Sequence, residues 1–263
     1  MAVRDAVARL PGSYTGPRYF DLQQFPVVGL LDGASDETLG TIVDETDYRE
    51  VVGAHRVVMG HVSAATLLAA GCTDLAVQVR EPRSRLLSLY RYWQAQSGPH
   101  LASWGTWGLE VVGAADLPLA AFLESPMTWP ATDGALARQA LGGIASPYDG
   151  ARTWRPSDAD RERLAARLSV AEWSTDSDRF VARVWSRLGE PEVPALGRVN
   201  VTEVVGGPQV LDGTTVATLE RLAGPDRALL DHLMDRGLLR RRSDADLDDE
   251  FARTAGRLAF TIG

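Results

Sequence analysis

Residues 75–96 constrain the chain most. Leu75-Ala76-Val77-Gln78-Val79 is its strongest strand signal, and it runs without a spacer through Arg80-Glu81-Pro82 into an amphipathic stretch from about Arg83 to Gln96. Strand, tight turn and helix in that order are half of a βαβ unit, which predicts a parallel sheet. Arg56 to Gly60 reads as a second short strand, and Ala64 to Ala70 as a short helix closed by Gly71. Helices are predicted near 117–124, 133–141, 158–168, 177–188, 214–222 and 226–236, with Ser157 and Thr214 as N-caps and Gly189, Gly224 and Gly237 as stops. Residues 2–10 read as the tail of a helix, 11–34 as irregular, and 36–43 as a helix capped by Ser35. Arg240-Arg241-Arg242 and the acidic stretch Asp244–Glu250 read as solvated surface. The expectation is an α/β fold: a small parallel sheet wrapped by helices, a helical C-terminal half, and one domain across residues 1–263.

Composition narrows the chemistry. A net charge of −8 argues against a general nucleic-acid binder. All 27 basic residues are arginines, so a GxxxxGK[ST] phosphate loop has no lysine to be built from. Any nucleotide site must use guanidinium groups, backbone N–H groups and hydroxyls. The single cysteine, Cys72, rules out a disulfide framework and a multi-thiolate metal site, and His55, His100 and His232 have no ligand-spaced partner, so no metal is expected. Trp104 and Trp107 read as core, with an acceptor-pocket lining as the other reading. No apolar run approaches the roughly 20 residues of a membrane span, and the first residues lack a signal-peptide core. The expected setting is the cytoplasm.

Two side chains stand out within the strand–helix unit. Arg80 falls at the C-terminal end of the strand, where open α/β sheets bind ligands. Ser88 lies between one and two turns into the following helix. A guanidinium fork and a hydroxyl converging from strand end and helix can hold a phosphate. The other reading is structural: Arg80 and Arg85 pair with carboxylates such as Glu81, while Leu86, Leu87 and Tyr90 pack as core.

The segment Val79-Arg80-Glu81-Pro82-Arg83-Ser84-Arg85-Leu86-Leu87-Ser88-Leu89-Tyr90-Arg91-Tyr92-Trp93 resembles the R-D-P-x-x-R-x-x-S-x-Y-x-Y/W motif of sulfotransferases that use 3′-phosphoadenosine 5′-phosphosulfate. The resemblance is to the branch that includes the heparan and uronyl 2-O-sulfotransferases and bacterial relatives. It implies a P-loop-like architecture in which Arg80 and Ser88 bind the 3′-phosphate, with Glu81 in place of the usual aspartate. Val57-Val58-Met59-Gly60-His61-Val62 resembles the family's G-H-[FV] motif, which implies that His61 is the base for the acceptor hydroxyl. Histidine suits that task because its proton affinity lies near neutrality; a core histidine at a strand end is the other reading. The heparan enzymes carry a second histidine two residues earlier, where this chain has Met59, which weakens the case for a glycosaminoglycan acceptor.

Later pieces resemble the family more loosely, and the resemblance spans roughly residues 13–236. Glu172 stands where relatives carry G-x-T-E. Arg198-Val199-Asn200-Val201-Thr202 resembles an N-x-[ST] loop near the cofactor, and Asp226-Arg227-Ala228-Leu229-Leu230 resembles a D-x-x-L-Y helix with leucine for tyrosine. The family opens with a strand and a loop similar to P-K-T-G-T/G-T-S that holds the 5′-phosphosulfate, and neither is legible here. Either upstream codons encode them, or the protein is a degenerate relative that binds a nucleotide without catalysis. The resemblance implies sulfuryl transfer from 3′-phosphoadenosine 5′-phosphosulfate to the hydroxyl of a small molecule, lipid or sugar, without a metal, and with Arg198 supplying charge at the leaving phosphate where the loop is absent. A binding-only or interaction protein of the same fold, and a phosphoryl-transfer enzyme, are the rival classes.

Overall fold

The computed structural model describes residues 9, 13–15, 57–59, 64–69, 71–96, 113–126, 128–141, 155–196, 204 and 207–263. The strands are β1 (Ser13–Thr15), β2 (Val57–Met59), β3 (Leu75–Val79), β4 (Leu168–Trp173), β5 (Gln209–Leu211) and β6 (Phe260–Ile262). The helices are α1 (Ala64–Ala69), α2 (Pro82–Gln94), α3 (Leu119–Glu124), α4 (Trp129–Thr132), α5 (Ala135–Leu141), α6 (Asp158–Ala165), α7 (Ser177–Leu188), α8 (Gly213–Asp235) and α9 (Asp244–Arg257). The fold is mixed α/β with small parallel sheets. In place of one expected sheet, the described strands form three parallel pairs: β1 with β2, β3 with β4, and β5 with β6.

The central pair is the predicted one. β3 runs parallel to β4, with Gln78 opposite Glu172 and Val79 opposite Trp173. β4 is a strand the sequence reading missed. Its polar Ser169 and Glu172 interrupt the apolar run, and the helix expected over 158–168 absorbed its first residue; that helix ends at Ala165. β1 falls within the stretch expected to be irregular, pairing Tyr14 with Val58 of β2.

Helix α2 packs its Leu86, Leu87, Tyr90 and Trp93 face into a core with Phe122 of α3, Leu219 and Leu222 of α8, and Phe251 of α9. A second core lies on the β3–β4 pair, where Val79, Leu168 and Trp173 meet Leu229, Leu230 and Leu233 of α8 and Leu247 of α9. Helix α8 therefore serves both cores, one with each half.

The sequence predicts two helices there, broken at Gly224; the structure has one helix of 23 residues running through Pro225. Pro225 has no N–H to donate, which ordinarily weakens a helix interior. Here burial on both sides of the proline outweighs that loss. Gly134 approaches from the loop before α5, and its N–H donates to the Leu222 carbonyl at 2.9 Å. Gly134 has φ +61, and a Cβ on it would lie 2.7 Å from the Pro225 Cβ, so only glycine fits this joint. The N-cap of α8 is Asp212, which accepts from Thr215 N, rather than Thr214. Ser157 caps α6 as predicted, in a reciprocal capping box with Asp160.

The C-terminal charged segment is also revised. Asp244–Arg257 is a helix with a second capping box, between Ser243 and Asp246. Phe251 and Leu247 are buried in the two cores, and Arg242 pairs with Glu250 at side-chain exposures of 13% and 7%. An opposite-charge run that reads as solvated surface is thus partly interior, because every third or fourth residue between the charges is apolar.

Candidate functional site

Because β3 and β4 are parallel, their C-terminal ends lie at one edge, and α2 and α7 both start from it. Two helix N-termini at a strand edge are a usual place for an anion. At α2 that capacity is already used. Glu81, 2% exposed, accepts from Ser84 N at 2.6 Å and from Arg83 N at 3.2 Å. The same carboxylate accepts from Arg83 Nε at 2.8 Å.

Arg80 leaves the edge in another direction. Its Nη2 donates to Thr254 Oγ1 of α9 at 3.3 Å. Among the described residues no carboxylate forms an ion pair with Arg80. Burial lowers the pKa of this guanidinium, Arg257 lowers it further, and Glu250 and Glu81 work in the opposite direction. Both of those carboxylates are occupied, Glu250 by Arg242 and Glu81 by Arg83.

Ser88 lies on the same face of α2 as Ser84, one turn on. The Oγ of each is buried and has no hydrogen-bond partner among the described residues. Helical serine commonly bonds back to the carbonyl one turn earlier, and neither residue does so. A buried hydroxyl without a partner costs about 1–3 kcal/mol. No hydrogen bond joins Ser88 to Arg80 among the described residues.

The structural reading holds for Arg85, with a different partner from the one expected. Arg85 Nη1 donates to the Ala131 carbonyl at 3.0 Å, and Nη2 lies 3.5 Å from Asp226 Oδ2. Asp226 is fully buried, and its other oxygen accepts from Ala137 N at 2.8 Å, in the first turn of α5. Burial raises the Asp226 pKa, against the opposing pull of Arg85 and the backbone N–H groups of Ala137 and Leu136. Asp226 therefore joins α8, α2 and α5 within the core and is not aimed at a ligand. The sequence signal for it was an aspartate directly after a proline in an apolar helix.

Glu172 does similar work on β4. It is 1% exposed, and its Oε1 receives Arg179 Nε at 2.9 Å and Arg183 Nη1 at 2.7 Å, which ties α7 to the strand. Beside it Gln78 donates to Ser177 Oγ at 2.8 Å. Trp173 donates its indole N–H to the Arg240 carbonyl at 2.8 Å, and the Arg242 guanidinium lies 5.0 Å from its ring centroid. The segment between α8 and α9 is thereby fixed over the edge where Arg80 emerges.

His61 and Arg198 lie outside the described residues, as do His55, His100, Trp104 and Trp107. The buried Nε2 of His232 on α8 lies 3.6 Å from Glu162 of α6, and the Cys72 thiol donates to the Asp74 carbonyl at 3.2 Å. Among the described residues no group of His, Cys, Asp and Glu is placed to hold a metal ion, and no helix is long and apolar enough to cross a membrane. Sequence reasoning missed Thr254, which comes within reach of Arg80 only through the packing of α9 on α2. No protein-family model, no curated protein and no solved structure matches the chain.

Proposed function

We propose that the protein is a sulfotransferase of P-loop-like architecture, moving a sulfuryl group from 3′-phosphoadenosine 5′-phosphosulfate to a hydroxyl of a small molecule, lipid or neutral sugar. The observation that carries the reading is Arg80: a guanidinium at the C-terminal end of a parallel strand, bound to one hydroxyl and to no described carboxylate. The Ser88 hydroxyl, on the helix that follows and without a hydrogen-bond partner among the described residues, supports it. Arg80 and Ser88 would hold the 3′-phosphate by charge-assisted hydrogen bonds.

In the transfer step the acceptor oxygen attacks sulfur, the bond from sulfur to the 5′-phosphate oxygen breaks, and adenosine 3′,5′-bisphosphate leaves. His61 takes the acceptor proton, and Arg198 offsets charge on the leaving phosphate; both roles rest on the sequence resemblance. Catalysis of this kind depends mainly on in-line placement and fixed charge. A single cysteine fits a cytoplasmic setting.

The test is ligand-dependent thermal stabilisation. Adenosine 3′,5′-bisphosphate stabilises the chain more than 5′-AMP does, and Arg80→Ala removes the difference. Equal shifts with both nucleotides would overturn the 3′-phosphate assignment. Binding of the bisphosphate without any transfer from the sulfated donor, across a panel of hydroxyl acceptors, would favour a protein that binds the nucleotide and performs no chemistry.

A further inference from the structure

We infer that Thr254 of α9 is a positioning residue for anion binding: its hydroxyl aims the Arg80 guanidinium at the ligand without neutralising it. The inference rests on the reading of Arg80 as a phosphate ligand, and adds to it a residue from outside the roughly 13–236 span of the family resemblance.

A guanidinium at a strand end needs two things from its surroundings, a balance of charge and a direction. Glu250 and Glu81 supply the first, since both favour the charged form of Arg80 while their own ion pairs are with Arg242 and Arg83. Thr254 supplies the second. Arg80 Nη2 donates to Thr254 Oγ1 at 3.3 Å, the one hydrogen bond Arg80 makes among the described residues. A long side chain left without such a partner loses its rotamer freedom when the ligand arrives, and that loss weakens binding.

Thr254 is held firmly enough for the task. It is 5% exposed, and branching at Cβ leaves its side chain few rotamers. The helix that carries it is fixed to α2 on both sides of this residue. Before it, Arg83 Nη2 donates to Asp248 at 2.8 Å, and the same guanidinium lies 4.6 Å from the Phe251 ring centroid. After it, the Leu258 carbonyl accepts from Arg91 Nε at 3.1 Å, and the Arg91 guanidinium lies 4.4 Å from the ring centroid of Phe260 in β6. The hydroxyl therefore keeps a set position relative to the strand–helix unit.

The chemistry of the partner fits the same role. A carboxylate in the place of Thr254 would pair with Arg80 and compete with an incoming anion. A hydroxyl accepts one N–H and carries no charge, so the positive charge and the other N–H donors of the guanidinium remain for the ligand. Where arginines of this chain tie helices together, at Glu81, Glu172 and Asp226, the partner is instead a buried carboxylate.

Calorimetric titration of the full chain with adenosine 3′,5′-bisphosphate and with 5′-AMP tests the role of Thr254. Thr254→Val removes the hydroxyl at nearly constant size, and Thr254→Ser keeps it. Thr254→Val is expected to weaken the bisphosphate about fivefold, which corresponds to roughly 1 kcal/mol, and to leave 5′-AMP unchanged. Thr254→Ser is expected to bind the bisphosphate as the wild type does, and Thr254→Ala, which introduces no group that can clash, to match Thr254→Val. In the Arg80→Ala background Thr254→Val is expected to have no further effect, because a residue that acts only through Arg80 then has nothing to aim. Equal weakening of both nucleotides, a loss in Thr254→Ser as large as in Thr254→Val, or a further loss in the Arg80→Ala background would show a structural role and overturn the inference. If Arg80→Ala removes the preference for the bisphosphate while Thr254→Val and Thr254→Ala keep wild-type affinity, the reading of Arg80 stands and the role of Thr254 fails. A wild-type chain that binds the two nucleotides equally overturns both.

Discussion

Replacing Glu81 by alanine tests how the strand–helix unit is held, because this buried side chain has three jobs at once. It caps α2 through Ser84 N and Arg83 N, and it pairs with Arg83 Nε. Loss of an N-cap costs about 1 kcal/mol, within a range of roughly 0.5–2. The ion pair adds less than a fully buried one would, because Arg83 keeps Asp248 at 2.8 Å and has Glu220 at 3.9 Å. Taking about 1 kcal/mol for that charge-assisted contact gives a total near 2 kcal/mol for Glu81→Ala. At roughly 2–4 °C per kcal/mol for a chain of this size, the midpoint falls by about 4–8 °C. Glu81→Asp keeps a good capping residue but shortens the reach to Arg83, so its loss should be about half as large. Differential scanning calorimetry with urea unfolding measures both. A change below about 0.5 kcal/mol for Glu81→Ala, the range of an ordinary surface substitution, would refute the reasoning. The same variant frees two N–H groups at the helix start, so inorganic phosphate should stabilise it more than it stabilises the wild type.

Two further perturbations address the joint between α8, α2 and α5. Gly134→Ala combines a left-handed backbone with a Cβ driven against Pro225; a loss of about 2–4 kcal/mol in urea unfolding is expected, and a loss under about 1 would contradict the packing. Asp226 has a folded pKa raised by burial, so its contribution to stability is fully present below the unfolded value of about 3.9 and is lost as pH rises through the folded value. The wild type should therefore lose ground to Asp226→Asn between about pH 4 and the raised value, which unfolding free energies across that range will show; a gap that widens in favour of the wild type would refute it.

The sequence made the central unit legible because its signals are local. Leu75–Val79 and the helix after Pro82 form where expected, and Gly71 and Gly189 close α1 and α7 with positive φ. What was lost depends on distant partners. β4 carries Glu172 in a strand interior, which reads as polar until Arg179 and Arg183 are seen to neutralise it. Helix α8 continues through Gly224-Pro225 because two separate cores bury its halves, and local propensity cannot register that. β5 and β6 are three residues each, and they pair across about fifty residues of chain. The site shows the same division. Arg80 and Ser88 were marked by a motif, whereas Thr254 shares no local pattern with them and meets Arg80 only in the folded chain.

A crystal structure of the chain with adenosine 3′,5′-bisphosphate tests the account most directly. The account predicts the 3′-phosphate within about 3 Å of the Arg80 guanidinium and of Ser88 Oγ, the usual range of a charge-assisted hydrogen bond. A nucleotide bound elsewhere, or one whose 3′-phosphate faces solvent while Arg80 remains on Thr254, would contradict it.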